Sequence, residues 1–253
     1  DPMLGCNEDF SRLCDEAHRR GMRVMLDGVF NHTGFVSRYF NGDGFYPDVG
    51  ACQSWDSPYR SWFQFIHWPD RYESWWGIKT LPCVDKHNED YIRFIIEDDD
   101  SVVAKWLRLG ADGFRLDVVD ELPDAFVERL RRRLRGLNPE AILIGEVWED
   151  ASNKIAYNVR RRYFTGRQLD SVMNYPWQKA ILRYVRGDRV VVAAQKRRGR
   201  AVAEYRSLVG LVVIRPRKAA YFRRQIFHTL LLVIRLYRQT SAPRLPPTVF
   251  LLL

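Results

Sequence analysis

Two short apolar runs, each ending in a carboxylate, constrain this chain more than any other feature. Gly113-Phe114-Arg115-Leu116-Asp117 leads into Val118 and Val119; 29 residues after Asp117, the run Ala141-Ile142-Leu143-Ile144-Gly145 closes on Glu146-Val147-Trp148. Each run reads as a buried parallel strand. A strand of that kind has no structural use for an ionised carboxylate, because burying an unpaired one is costly. Two such groups at the C-terminal ends of consecutive strands predict an acid/base pair at the mouth of a β/α barrel. Arg115 lies two residues before Asp117 and so on the same strand face. From there it can hold the carboxylate ionised through charge-assisted hydrogen bonds.

The rest of the N-terminal body alternates in the same way. Asn7 is a good cap for a helix bearing Phe10, Leu13, Cys14 and Ala17 on one face, and Gly21 ends it. Met22 to Phe30 reads as a buried strand running into Asp27-Gly28-Val29-Phe30-Asn31-His32. A long segment from Thr33 to Asp85, dense in Gly, Pro, Trp and Tyr, has the length of a functional loop or an inserted subdomain. Asn88 can cap an irregular helix running to Leu107, with Asp98, Asp99 and Asp100 facing solvent. Pro123 opens a helix whose inward face carries Phe126, Val127, Leu130 and Leu134. After Val147 the pattern predicts another helical stretch, then a strand from Leu169 to Tyr175. Regular alternation of this type implies a parallel sheet with right-handed crossovers. The four strands amount to half of an eight-stranded barrel, which takes roughly 250 ordered residues.

Charge divides the chain. From Arg189 onward there are 14 basic residues and one acid, Glu204, a net of +13, whereas the first 188 residues carry −4. The overall +9 is therefore a property of the tail. The tail could serve a nucleic-acid or anionic-surface binder, but no helix-turn-helix, zinc finger or RNA-binding motif accompanies it. No apolar run approaches the roughly 20 residues that span a bilayer. Cys6, Cys14, Cys52 and Cys83 form no Cys-x-x-Cys pair or zinc spacing, which suits reduced thiols in a cytoplasmic protein.

Asp27-Gly28-Val29-Phe30-Asn31-His32, Gly113-Phe114-Arg115-Leu116-Asp117 and Gly145-Glu146-Val147-Trp148 resemble three of the four sequence regions of the α-amylase family, glycoside hydrolase family 13. They occur in the family's order, where its third, fourth and fifth barrel strands would be. The segment 33–85 stands where that family carries its B domain. Within it, Tyr72-Glu73-Ser74-Trp75-Trp76-Gly77 and Leu81-Pro82-Cys83-Val84-Asp85 are similar to the neopullulanase, cyclomaltodextrinase and maltogenic amylase branch. The fold implied is α/β: a partial TIM (β/α)8 barrel over residues 1–188, with the B-domain-like insertion after strand three and an Arg-rich segment, 189–253, outside the resemblance. The activity implied is retaining hydrolysis of α-1,4-glucans, maltooligosaccharides or cyclodextrins. Asp117 resembles the nucleophile and Glu146 the general acid/base, groups that must lie about 5–5.5 Å apart. The apolar strand and the negative Asp117 are expected to raise the pKa of Glu146. His32, Arg115 and Asp27 match substrate-site positions. Trp76, with Trp75, Trp62 and Trp68, belongs either to the core of the insertion or to a sugar-stacking surface. Asn31 matches a position that binds calcium in some members. No cofactor is otherwise implied, and a homodimer is implied only for a full-length relative. A glucanotransferase of the same superfamily is the alternative the motifs leave open.

Two departures stand out. The family's fourth region supplies a third carboxylate in an Asn/Asp-His-Asp motif, yet the one histidine after Glu146 is His228, followed by Thr229. Strands one and two of the barrel have no counterpart before Asp1. The abrupt change in charge and periodicity near Asp188 predicts a change of reading frame there, and a fragment with little or no activity of its own. Translation of the encoding DNA in its other frames beyond codon 188 checks this. One frame should restore barrel-like periodicity and an Asn-His-Asp-like motif; if neither does, the frameshift reading is wrong.

Overall fold

The computed structural model describes residues 3–185 and 249–252. Residues 1–178 with 250–253 form one compact unit and residues 179–249 a second. The Arg-rich segment from 189, and with it the proposed frame change, lies outside the described residues apart from its last strand.

Helix α1 (Asn7–Arg19) leads into strand β1 (Met22–Gly28). The helix starts one residue earlier than expected. Cys6 takes the cap position, its backbone N–H donating to Asp9 Oδ2 at 2.9 Å, and Asn7 is the first helical residue. The insertion carries the antiparallel pair β2 (Phe65–His67) and β3 (Arg71–Tyr72). The irregular helix expected from Asn88 is broken into α2 (Glu89–Ile92), a wide turn over Arg93–Glu97 and α3 (Val102–Arg108). Asn88 does cap it, its side chain accepting from Tyr91 N–H at 3.0 Å. Strand β4 (Gly113–Leu116), helix α4 (Asp124–Leu137) and strand β5 (Ile142–Gly145) follow. Phe126, Val127, Leu130 and Leu134 of α4 are all buried, as their spacing requires.

Residues 148–168 depart from the expected helix. They form a short turn and a tight hairpin, β6 (Ile155–Ala156) and β7 (Val159–Arg160). The next strand is also shorter than expected: β8 (Ser171–Val172) stops before Asn174, whose side chain accepts from Trp177 N–H at 3.1 Å and opens helix α5 (Tyr175–Val185). Asn as cap with Pro176 in the first turn is a helix-start signal that outweighs the strand propensity of the preceding run.

The main sheet has the order β8-β5-β4-β1-β9, where β9 is Val249–Leu252. The four strands β1, β4, β5 and β8 pair in parallel. They are consecutive β/α units of a (β/α)8 barrel, with the insertion following the first of them. Asp27 is in register with Arg115, and Arg115 with Ile144. Phe114, Leu116 and Leu143 point away from that face into the core with Phe30, Phe126 and Leu130. The opposite face, toward the strand ends, carries Asp27, Arg115 and Asp117. At the other end of β4, Asp112 is buried and ties the strand to β1. Its carboxylate accepts from Val24 N–H at 2.8 Å and Arg23 at 2.6 Å, and meets His18 Nε2 at 2.7 Å.

The insertion folds around Phe40, Trp62 and Phe63, all buried. Bridges His32–Cys83 and Phe63–Val84 stitch it back to the end of β1 and to itself. No helix among the described residues is long and apolar enough to cross a membrane.

Gly113 sets the spacing of β4 and β5. Its φ is +155°, and a Cβ there would lie 1.9 Å from the Ile142 carbonyl oxygen. Backbone cannot yield as a side chain can, so Gly113→Ala is expected to cost about 3 kcal/mol or more. Thermal or urea unfolding measures it, and an unchanged midpoint would contradict the close approach.

Candidate active site

The strand register brings three carboxylates to one guanidinium. Arg115 Nη1 lies 2.7 Å from Asp27 Oδ1 and 2.7 Å from Asp117 Oδ1, while Nη2 lies 2.8 Å from Glu146 Oε1. Its Nε faces Met173 Sδ at 3.2 Å. Asp117 and Glu146 therefore share a face of the sheet and engage the two terminal nitrogens of one planar group. The Arg115 side chain is only 10% exposed, so these pairs act with little screening by water.

Backbone geometry after Asp117 completes the site. Val118 adopts φ +39° and ψ 55°, a left-handed conformation that a β-branched residue rarely takes. This turn ends β4 earlier than the expected Val119 and aims the Val118 N–H at Glu146 Oε2, 3.0 Å away. Strain of this sort persists where surrounding contacts over-determine it. On its other oxygen Glu146 accepts from Tyr175 Oη at 3.2 Å. The Trp148 side chain also donates to it.

The two carboxylates are shifted in opposite directions, and not as the sequence suggests. Burial alone would push Glu146 up. The hydrogen bonds from Trp148 and Val118, the Arg115 charge and Tyr175 outweigh burial and hold Glu146 below the ordinary glutamate value. Asp117 is pushed up by burial, opposed by Arg115 and reinforced by Glu146 and Asp27, and titrates above the ordinary aspartate value. The expectation of a raised Glu146 thus fails in this ligand-free state. It counted the apolar strand and Asp117, and missed the four donors that converge on the carboxylate.

His32 is buried and stacks on Trp75, with ring centroids 5.2 Å apart. Burial, reinforced by Lys86, holds its imidazole below the ordinary histidine value despite Asp117 and Glu121, so it is neutral at pH 7. The tryptophans of the insertion differ in burial. Trp62 is core, whereas Trp76 is 66% exposed and stands edge-on to Trp148 at 5.6 Å.

Asn31 Oδ1 accepts from Lys86 Nζ at 3.0 Å and its Nδ2 faces His32 Nδ1 at 3.2 Å. No group of three or more His, Cys, Asp or Glu that could hold a metal occurs among the described residues. Lys86, Tyr175 and the Val118 N–H escaped the sequence reading. Only Tyr175 had a local signal, the Asn-Tyr-Pro helix start; the others depend on tertiary placement.

The family model described as the α-amylase catalytic domain matches residues 1–200. The chain belongs to the α-amylase family. It is 37% identical over 205 residues to an amylopullulanase of Thermoanaerobacterium saccharolyticum, covering 74% of this chain and 15% of that protein. Neopullulanase 2 of Thermoactinomyces vulgaris is 34% identical over 192 residues, covering 73% and 29%. The solved structure of a debranching enzyme from Nostoc punctiforme superposes with a TM-score of 0.61 at 36% identity, covering 76% of this chain and 37% of that one. The chain thus spans well under half the length of these α-amylase-family relatives.

The opposed shifts give a stability test. A carboxylate whose folded pKa is raised contributes stability below its unfolded pKa, and that contribution is lost as pH rises through the folded value. Asp117 is of this kind, so Asp117→Asn is expected to raise the melting temperature at pH 7, with the gain vanishing below about pH 4. Glu146 is the reverse: Glu146→Gln is expected to lower the melting temperature at pH 7 and to matter less as pH falls through its depressed folded pKa. Thermal scans of both variants between pH 3 and 7 check the signs; like-signed effects would refute the assignment.

Proposed function

We propose that this chain carries the catalytic pair of a retaining α-glucan hydrolase, acting on α-1,4-linked glucans, maltooligosaccharides or cyclodextrins. The observation that carries this is the single Arg115 guanidinium bridging Asp117 and Glu146 at the ends of neighbouring strands. The names of its relatives, amylopullulanase and neopullulanase, point to the same substrate class.

The roles follow from the surroundings. Arg115 favours the ionised form of Asp117 and fixes its rotamer, so one oxygen can attack the anomeric carbon. The bond from that carbon to the leaving sugar oxygen breaks, and Glu146 supplies the proton to that oxygen. Water then attacks the same carbon, Glu146 takes its proton, and the ester to Asp117 is released. Its four donors favour the ionised form of Glu146, so the proton it gives to the leaving oxygen has to be taken up against those contacts. Neutral His32 and Asp27, which faces the cleft at 40% exposure, are placed to hydrogen-bond the sugar whose bond is cleaved. The four cysteines are free thiols, which suits the cytoplasmic location the sequence suggests.

A glycosyl fluoride separates these roles, because fluoride leaves without a proton. Labelling needs one esterification and no turnover, so even a chain of little activity should be esterified at Asp117 by an α-glucosyl fluoride with a second, deactivating ring fluorine, read by peptide mass spectrometry. Asp117→Asn should abolish the label, and Glu146→Gln should retain it. No label, or a label on another residue, would overturn the proposal.

A further inference from the structure

Beside Glu146 lies an open cleft of about 370 Å³ whose lining includes neither Asp117, His32 nor Asp27. Trp76, Trp148, Ile155 and Tyr157 line it together with Asp120, Glu121, Glu146, Glu149 and Lys154. We infer that the β6–β7 hairpin is a wall of the leaving-group side of the site, and that Tyr157 is a sugar-stacking residue there. This rests on the hydrolase reading above, since the general acid marks which side the departing sugar occupies.

Trp76, Ile155 and Tyr157 are 65–66% exposed and Trp148 is 40% exposed. Scattered exposed hydrophobics need no explanation, but these converge on one cleft. Aromatic faces in such a cleft suit the apolar C–H face of a pyranose. The charge around it selects further. Four carboxylates against one lysine disfavour an anionic ligand and leave acceptors for hydroxyl groups.

The hairpin holds Tyr157 at a conformational cost. Tyr157 and Asn158 are the two residues of the turn, with φ of +53° and +60°. Glycine or asparagine fits such a turn most easily, and an aromatic residue does not. Turn formation therefore gives no reason for the ring. Its hydroxyl donates to Glu121 Oε2 at 2.5 Å, fixing its orientation over the cleft. The base of the hairpin is braced by Lys154 against Asp120 at 3.1 Å, and by Arg161 donating to the Leu122 carbonyl at 3.0 Å. The wall is thus anchored to the turn that follows Asp117.

Maltose binding to the 253-residue chain tests this by saturation-transfer NMR titration. Tyr157→Asn keeps a residue that tolerates the turn while removing the ring. It should weaken maltose about five- to tenfold, with the melting temperature unchanged. Tyr157→Phe, which keeps the ring and loses the Glu121 bond, should bind more tightly than Tyr157→Asn. Maltose affinity equal in wild type and Tyr157→Asn, or no binding to wild type, would overturn the inference. Fluoride labelling of Asp117 keeps the two readings apart, because fluoride does not reach the cleft. Labelling with unchanged maltose affinity removes the hairpin wall alone. Loss of affinity in Tyr157→Asn without labelling removes the hydrolase reading and leaves a sugar-binding cleft.

Discussion

One buried cation organises this site. Arg115 touches Asp27, Asp117 and Glu146 together, and it stands on the middle strand of the three. Three carboxylates this close would otherwise repel one another and stay partly protonated. A planar guanidinium with donors in fixed directions can serve several oxygens at once, which a lysine ammonium does less well. The arrangement depends on register: Asp27 opposite Arg115, and Glu146 one step beyond Gly145, itself opposite Leu116. Close approach of β4 and β5 at Gly113 sets that register from the far end of the strands.

The donors that make the site rigid also set its resting protonation. Glu146 receives the Val118 N–H, Tyr175, Trp148 and Arg115, more than a simple proton donor needs. These contacts favour the charged form of Glu146 and make it the weaker base of the pair, whereas Asp117, the expected nucleophile, carries the raised pKa.

The strands, their order and the two carboxylates were legible because each is a local pattern: an apolar run, a cap, a carboxylate where a strand should end. The inward face of α4 was legible for the same reason. Other features were not. The stretch after Val147 was expected to be helical, yet it folds as a hairpin whose turn has no glycine, so the usual hairpin signal is missing. The left-handed Val118 breaks local propensity outright and is held by tertiary contacts. Lys86 lies 55 residues from Asn31 and meets it only once the insertion has folded back. The direction of the Glu146 shift depended on Trp148, the Val118 N–H, Arg115 and Tyr175 converging on one carboxylate, and of these strand alternation reveals only Arg115.

The aromatic stack from His32 through Trp75 and Trp76 to Trp148 joins the insertion to the end of β5. Its members come from three separate parts of the sequence, and its last ring sits two residues beyond Glu146. The position of the insertion and the placing of the Trp148 ring beside Glu146 are thus set by one continuous series of ring contacts.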